Sequence, residues 1–271
     1  MTEPTIDFFK VIVTANQKGG VGKTTTAVNL AASLAATKRK VLLVDLDPQG
    51  NATMASSVNK HELENSACEV LLNECEISEA IVKTEVGYDV IGANDELTAA
   101  EVALMNELAR EQRMKMQLEK VRGQYEYVII DCPPSLNMLT LNALVAATSI
   151  LIPMQCEYFA LEGLSALMQT IENVKKSVNP ALTIEGVLRT MYDPRNNLAV
   201  DVSSQLSEYF DDKLYRTIIP RNVRLAEAPS HGLPALQYDK TSRGALAYLA
   251  LAGEILRKDA QARQATSATA A

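Results

Sequence analysis

The chain has 271 residues, of which 47% are apolar and 22% charged, and its formal net charge is −7 at pH 7. A chain of this length buries roughly three quarters of its unfolded surface, which excludes a small domain that depends on disulfides or metal for its stability. The negative charge argues against a general electrostatic attraction to DNA or anionic lipid. Aromatic residues make up 5% and Trp is absent, so aliphatic side chains and Met must build the core.

The first predicted elements are a strand over residues 8–15 and a helix over residues 24–37, joined by a glycine-rich loop. Glycines let the backbone wrap a phosphate chain without a side-chain clash, and the free N–H groups of a helix N-terminus bind anions. The strand–loop–helix order therefore predicts a nucleotide-phosphate site, with a ligand-free turn as the alternative. Its candidate residues are Lys18, Gly19, Gly20, Val21, Gly22, Lys23, Thr24 and Thr25.

Two of these side chains have predicted roles in phosphate chemistry. Lys23 can reach the β- and γ-phosphates, and the Thr24 hydroxyl can bind Mg²⁺. The usual P-loop pattern has glycine at the position of Gln17, whereas this loop carries an additional lysine, Lys18, ahead of its glycines. Lys18 is a candidate for a further cation on the γ-phosphate, supplied by its own chain or by a second subunit.

The second predicted strand, residues 40–45, ends in Asp-Leu-Asp-Pro-Gln-Gly-Asn at positions 45–51. Two carboxylates at a strand end can face the phosphate site. We predict that Asp47 orients the attacking water and that Asp45 supports either the Mg²⁺ shell or the loop. The alternative for both is a turn or helix-capping aspartate.

A third strand is predicted at 88–91, followed by one long helix over 96–122. The apolar positions of that helix are Val102, Met105, Leu108 and Met116. A strongly apolar strand at 127–131 ends in Asp131, and an aspartate in this position commonly supports Mg²⁺ in P-loop enzymes, often through water.

The remaining predicted elements are strands at 149–153, 184–191 and 214–220, and helices at 161–178, 199–210 and 244–257. Apolar strands that alternate with helices predict an α/β fold, with a mostly parallel twisted sheet of about seven to eight strands covered by helices on both faces. Together with the glycine-rich loop, this pattern predicts a P-loop NTPase fold with a deviant Walker A loop. We expect one domain over residues 1–258 and a disordered, low-complexity tail over 259–271.

The cysteines form no Cys-x-x-Cys pair, and we interpret them as core thiols of a cytosolic protein, with iron–sulfur ligands as the alternative. They are Cys68, Cys75, Cys132 and Cys156. The first ten residues have no signal-peptide pattern, and no run of 18 apolar residues occurs, so we expect a cytoplasmic protein without a transmembrane helix.

Four stretches together resemble the ParA/Soj family, the deviant Walker-type ATPases of chromosome and plasmid partition. They are Lys-Gly-Gly-Val-Gly-Lys-Thr-Thr at 18–25, Asp-Leu-Asp-Pro-Gln-Gly-Asn at 45–51, Ile-Ile-Asp-Cys-Pro-Pro-Ser at 129–135 and Ile-Pro-Arg-Asn-Val-Arg-Leu-Ala-Glu-Ala-Pro-Ser-His-Gly at 219–232. The first stretch is shared with MinD-like and nitrogenase-iron-protein-like relatives. The second and fourth stretches narrow the resemblance to the ParA/Soj family. It extends from about residue 8 to about residue 257.

The resemblance implies that ATP and Mg²⁺ close a homodimer with two nucleotides at its interface. Lys18 matches the lysine that contacts the partner's ATP, and Gly19 matches a position where a side chain would block closure. Asp47 matches the hydrolytic aspartate. The segment that packs by the adenine is Pro220, Arg221 and Asn222.

The resemblance further implies that the closed dimer binds double-stranded DNA without sequence preference, through arginines that include Arg195 and Arg224. A centromere-binding ParB-type partner would stimulate a slow ATPase and release the dimer, in a cytoplasmic, nucleoid-associated protein without membrane contact. From charge alone this region is a mixed surface, because residues 189–224 carry six basic and five acidic side chains.

Three alternatives remain open from the sequence. A ParA-like ATPase could position another cargo, such as a chemoreceptor array or a microcompartment. A MinD-like membrane-associated regulator would need a basic amphipathic C-terminal helix, whereas the chain after Lys258 carries one basic residue, Arg263. A metabolic P-loop enzyme or an iron–sulfur reductase is the third.

Overall fold

The computed structural model describes residues 8–158 and 160–269, and for residues 160–163 and 266–269 only the backbone is considered. One eight-stranded sheet runs through the described part in the order β3-β4-β2-β5-β1-β6-β7-β8. Only β3 is antiparallel to its neighbour among the paired strands. The strands are β1 Lys10–Thr14, β2 Val41–Asp45, β3 Ile81–Val82, β4 Asp89–Ile91, β5 Tyr127–Asp131, β6 Ser149–Gln155, β7 Thr183–Tyr192 and β8 Leu214–Pro220.

Helices connect most of these strands and cover the sheet. They are α1 Lys23–Ala36, α2 Asn51–Met54, α3 Ala67–Leu72, α4 Leu97–Leu104, α5 Arg113–Glu119, α6 Met138–Ala146, α7 Ala160–Ser177, α8 Asn197–Phe210, α9 Val223–Glu227, α10 Ala235–Tyr238 and α11 Arg243–Thr269. This eight-stranded, mostly parallel sheet with its helices confirms the predicted α/β architecture.

Two apolar cores lie on opposite faces of the sheet because successive strand residues point to opposite sides. Val11 and Val13 of β1 belong to the core beneath α3–α8, whereas Ile12 belongs to the core beneath α1 and α11. Strands buried on both faces are continuously apolar, which is why they were recognisable in the sequence.

The strand register brings polar residues together at one edge of the sheet. Asp131, the last residue of β5, lies opposite Thr14 of β1 on one side and opposite Asp45 of β2 on the other. Ligands of parallel α/β sheets bind at the carboxyl ends of the strands, where these three residues lie.

The prediction of one continuous helix over 96–122 is wrong. The chain leaves the helical path near Ala109, which has a left-handed φ of +52°. Asn142 of α6 stabilises the break, because its side-chain amide donates to Arg110 O at 2.8 Å and its oxygen accepts from Met114 N at 3.1 Å. The four apolar positions assigned to the helix are all exposed: Val102, Met105, Leu108 and Met116.

The predicted disordered tail is also corrected, because α11 continues through Thr269. Asp259 is buried and accepts hydrogen bonds from Lys10 Nζ at 2.5 Å and Tyr127 OH at 2.7 Å. Lys10 also pairs with Glu185 at 2.8 Å. The alanine-rich segment that begins at Asp259 has high helix propensity. The contacts of Asp259 with Lys10 and Tyr127 hold the start of this segment against β1 and β5. Residues 270–271 lie outside the described residues, and the single-domain division remains a prediction.

Among the residues that the model describes, none of the helices is both long enough and apolar enough to cross a lipid bilayer.

Candidate functional site

A cavity of about 670 Å³ opens at the carboxyl edge of the sheet. It brings together most of the predicted nucleotide residues, which come from three separate parts of the chain. These lining residues are Gly19, Gly20, Gly22, Lys23, Thr24, Thr25, Asp47, Pro220, Arg221 and Asn222. The volume suits a nucleotide-sized ligand.

The loop between β1 and α1 has the shape of an anion cradle. Gly20 and Gly22 adopt left-handed φ angles of +74° and +87°, which a residue with a Cβ would adopt only with strain. Helix α1 begins at Lys23, and no side chain caps its N-terminus, so its first backbone N–H groups are available to a ligand.

Lys23 is buried, and its Nζ donates to the backbone oxygen of Lys18 at 3.2 Å. Burial lowers the pKa of Lys23, which the carboxylates of Asp131 and Asp47 partly offset. Within the described part of the chain this carbonyl is the hydrogen-bond acceptor of the Lys23 ammonium group, which can exchange that contact for phosphate oxygens.

Lys18 and Val21 are the two predicted loop residues that do not line the described cavity. The Lys18 ammonium instead pairs with Glu157, just after β6, at 2.6 Å, and both side chains are partly exposed. The backbone of Lys18 donates to Asn16, whose amide in turn donates to Pro153 O. The loop is therefore anchored to the end of β6 while the Lys18 side chain points away from the cavity.

Asp45 is fully buried, and both of its oxygens are engaged by the following loop. Oδ1 accepts from Asp47 N at 3.1 Å, and Oδ2 accepts from Thr53 N at 2.9 Å and Thr53 Oγ1 at 2.7 Å. Burial raises the pKa of Asp45 to about 6. Of the two roles left open by the sequence, this geometry favours support of the loop over a place in the Mg²⁺ shell.

Asp131 differs from Asp45 because one of its buried carboxylate oxygens is not engaged by the described residues. Oδ1 accepts from Thr14 Oγ1 at 3.3 Å, whereas Oδ2 has no hydrogen-bond partner among the described residues. Burial, followed by the charge of Asp45, raises the pKa of Asp131 well above its usual range, while the nearby Thr24 hydroxyl lowers it.

This donor set fits a hydrated divalent cation. An unpartnered carboxylate oxygen beside a threonine hydroxyl can bind the waters and the ion that accompany a phosphate chain. Within the described residues, no group of three or more His, Cys, Asp or Glu side chains could hold a metal by itself. Thr24 and Asp131 would therefore share such an ion with phosphate oxygens.

The wall of the cavity contains residues that sequence reasoning missed. Thr190 at the end of β7 donates its hydroxyl to Val21 O at 2.8 Å, and Tyr248 of α11 exchanges a hydrogen bond with Thr26 of α1. Neither lies in a recognisable motif, and the pairing of β7 with β6 and the docking of α11 bring them to the site. Asn222 caps α9 by accepting from Leu225 N.

A second cavity of about 850 Å³ adjoins the first and shares Pro220 and Arg221 with it. Arg195 and Arg243 contribute two further guanidinium groups to its lining. Arg195 is clamped by Asp193 through two hydrogen bonds, at 2.9 and 2.7 Å.

Arg224, the other arginine assigned to DNA, does not line this second cavity. It pairs with Glu227 at 2.6 Å and with Asp239 at 3.4 Å. The two predicted DNA contacts therefore do not line the same cavity, and acidic neighbours offset the charge of each.

All four cysteines are free, and Cys68, Cys132 and Cys156 are buried. Burial raises the pKa of Cys132 well above its usual value and also raises that of Cys156. Buried thiols with raised pKa values behave as small core residues, in agreement with the structural interpretation.

Comparison with known proteins gives a consistent family. Residues 9–184 match a family model described as an AAA domain. The sporulation initiation inhibitor protein Soj of Bacillus subtilis is 53% identical, over 91% of this chain and 98% of its own length. The chromosome partitioning protein ParA of Caulobacter vibrioides is 49% identical, over 96% and 98%.

A solved structure with the same fold was crystallised with a nucleotide. Cobyrinic acid a,c-diamide synthase from Mycobacterium smegmatis, with bound ATP analog and magnesium, matches at a TM-score of 0.81 and 39% identity. The match covers 92% of this chain and 95% of that one.

Proposed function

Because the chain belongs to the ParA/Soj family of chromosome-partitioning ATPases, we propose that it binds and slowly hydrolyses ATP with Mg²⁺. The ATP-bound form is a homodimer that binds double-stranded DNA without sequence preference. A ParB-type partner stimulates hydrolysis and so releases the DNA. The protein acts in the cytoplasm, in association with the nucleoid.

The observation that carries this proposal is the convergence of Lys23, Thr24 and Asp47 on one cavity at the end of the sheet. Phosphoryl transfer requires positioning and charge neutralisation rather than a covalent nucleophile. The backbone N–H groups of the loop and the Lys23 ammonium hold the phosphate chain. Mg²⁺, bound by Thr24 and supported by Asp131, would neutralise charge on the β- and γ-phosphates.

Asp47 lies at the mouth of the loop after β2, half-buried, and its Oδ1 accepts from Gln49 N at 3.0 Å. A carboxylate held in this way can accept a hydrogen bond from a water and direct it toward the γ-phosphate. Because the loop backbone fixes Asp47, the water is oriented before the transition state forms.

Two features of the phosphate loop support a dimer. Lys18 points away from the cavity of its own chain, and its ion pair with Glu157 is partly exposed, worth at most about 1 kcal/mol. Gly19 is exposed, and a Cβ built on it would meet no described atom within 4 Å. Nothing described in this chain calls for glycine there, and the exposed backbone at Gly19 leaves room for a second subunit to pack closely against the loop.

The DNA contact is proposed for the surface around the second cavity. Arg221 and Arg243 lie beside Arg195 there, and Arg221 also lines the nucleotide cavity. A dimer doubles these cations, and contacts to phosphates give binding that is sequence-blind and sensitive to salt. Because one wall belongs to both cavities, ATP and DNA binding can depend on each other.

The test compares wild type with Lys23→Ala and Asp47→Ala. We expect Lys23→Ala to abolish nucleotide binding, and Asp47→Ala to bind ATP, stop turnover and persist as dimers in size-exclusion chromatography. Duplex binding at two salt concentrations, with ATP, ADP or no nucleotide, should appear only with ATP. Normal turnover by Asp47→Ala, or an ATP-loaded Asp47→Ala protein that stays monomeric at every concentration, would refute the proposal.

A further inference from the structure

A hydrogen-bond junction beneath the Asp47 loop is centred on Thr53 of α2. Thr53 is completely buried, and both its backbone N–H and its hydroxyl donate to Asp45 Oδ2, at 2.9 and 2.7 Å. The same hydroxyl accepts from the backbone N–H of Ala93, just after β4, at 2.9 Å. One side chain thereby connects the ends of two strands with the helix that follows the loop.

Asp45 passes this connection on to Asp47, because its second oxygen accepts from the backbone N–H of Asp47 at 3.1 Å. A continuous path of hydrogen bonds therefore leads from Ala93 through Thr53 and Asp45 to Asp47. Each donor along this path has an acceptor. Fully matched buried polar groups rigidify their surroundings, since each of them would be costly to leave alone.

Packing at the same place leaves the loop little freedom. A Cβ on Gly92 would come within 2.9 Å of the Thr53 methyl group, and a Cβ on Gly50 within 2.6 Å of Ala93 O. The backbone just after β4 therefore packs closely against both Thr53 and the turn that begins at Asp47, where Gly50 N donates to Asp47 O at 2.8 Å.

We propose that Thr53 is a positioning residue for hydrolysis, which holds the Asp47 carboxylate in the direction needed to orient the attacking water. Thr53 does not line the nucleotide cavity, so it acts through Asp45 and the loop backbone. This inference rests on the proposed ATPase function and assigns a residue outside every motif that identified the family. Such a residue affects the hydrolytic step rather than the hold on the nucleotide.

The experiment compares three variants of the full chain at a temperature well below their melting points. Thr53→Val keeps the shape but removes the hydroxyl, Thr53→Ser restores it, and Ser56→Ala is the matched control. Ser56 is also completely buried, and its hydroxyl contacts Tyr88 OH at 2.8 Å and Ala52 O at 2.7 Å, without a contact to Asp45. Both Thr53→Val and Ser56→Ala should lower the melting temperature.

The readouts are kcat for ATP hydrolysis and the dissociation constant of a fluorescent ATP analogue. We expect Thr53→Val to lower kcat at least tenfold with the dissociation constant unchanged within twofold, Thr53→Ser to recover most of kcat, and Ser56→Ala to keep wild-type kcat. Equal losses of kcat in Thr53→Val and Ser56→Ala, or wild-type kcat in Thr53→Val, would overturn the inference. The Asp47→Ala variant distinguishes failure of the proposed function from failure of the role of Thr53. If Asp47→Ala hydrolyses ATP normally, the proposed function is wrong. If Asp47→Ala is inactive while Thr53→Val stays active, only the role of Thr53 is wrong.

Discussion

Replacing Gly50 by alanine should destabilise the protein by more than its backbone conformation alone explains. Gly50 has a φ of +63°, and an L-residue in this left-handed region costs roughly 1–2 kcal/mol. A Cβ there would also lie 2.6 Å from Ala93 O and 2.8 Å from the Lys60 side chain. The lysine can move, but the backbone oxygen of Ala93 is fixed just after β4, and such overpacking adds about 1–3 kcal/mol.

Gly232 is the matched control, because its φ of +66° carries the same backbone cost while the nearest atom to its Cβ, Met54 O, is 3.3 Å away. Urea denaturation should give a loss of about 2–5 kcal/mol for Gly50→Ala against about 1–2 kcal/mol for Gly232→Ala. Turnover should also fall in Gly50→Ala, since the displaced turn carries Asp47. If the stability losses of the two variants agree within about 0.5 kcal/mol, the backbone near Ala93 moves aside without cost and the reasoning is refuted.

Three further outcomes test other parts of the structure. Asp259→Ala should cost about 2–3 kcal/mol in urea denaturation because the buried Tyr127 hydroxyl loses its acceptor and the half-buried Lys10 ammonium loses one of its two carboxylates, whereas exposed Gln261→Ala should cost almost nothing; equal values would mean that the end of α11 is not docked. Asp193→Asn should free Arg195, raise ATP-dependent duplex affinity and steepen the log–log salt slope by up to about 0.9 per new phosphate contact; filter binding over a salt series that returns an unchanged slope would contradict this. Leu108→Ser should leave stability within about 0.5 kcal/mol of wild type, because Leu108 is 89% exposed, and a loss above about 1 kcal/mol by thermal melting would argue for a buried position.

The sheet was predictable because its signal is local. Strands buried on both faces are continuous apolar runs, and the predicted limits of β5 and β8 agree with the observed Tyr127–Asp131 and Leu214–Pro220. The phosphate loop was equally predictable, because its glycines, lysine and threonine lie within a few residues of each other.

What escaped prediction depends on partners that are distant in the chain. The break near Ala109 is held by Asn142, and the docking of Asp259 depends on Lys10, 249 residues earlier. Apolar periodicity over 96–122 favours a helix, but no local pattern shows that the chain breaks near Ala109 or that Leu104 and Met114, rather than Met105 and Leu108, pack into the core. The role of Asp45 was open for the same reason, because its partner Thr53 is reached only through the fold.

The position of β1 in the middle of the sheet bears on how the chain is made. Lys10–Thr14 is synthesised before the other described strands, yet its neighbours are β5 and β6, which begin at Tyr127 and Ser149. At translation rates of about 5–20 residues per second, this apolar segment waits roughly ten seconds for a pairing strand. The nascent chain therefore exposes one of its two central strands for the longest time, and apolar segments exposed in this way are the ones that chaperones protect.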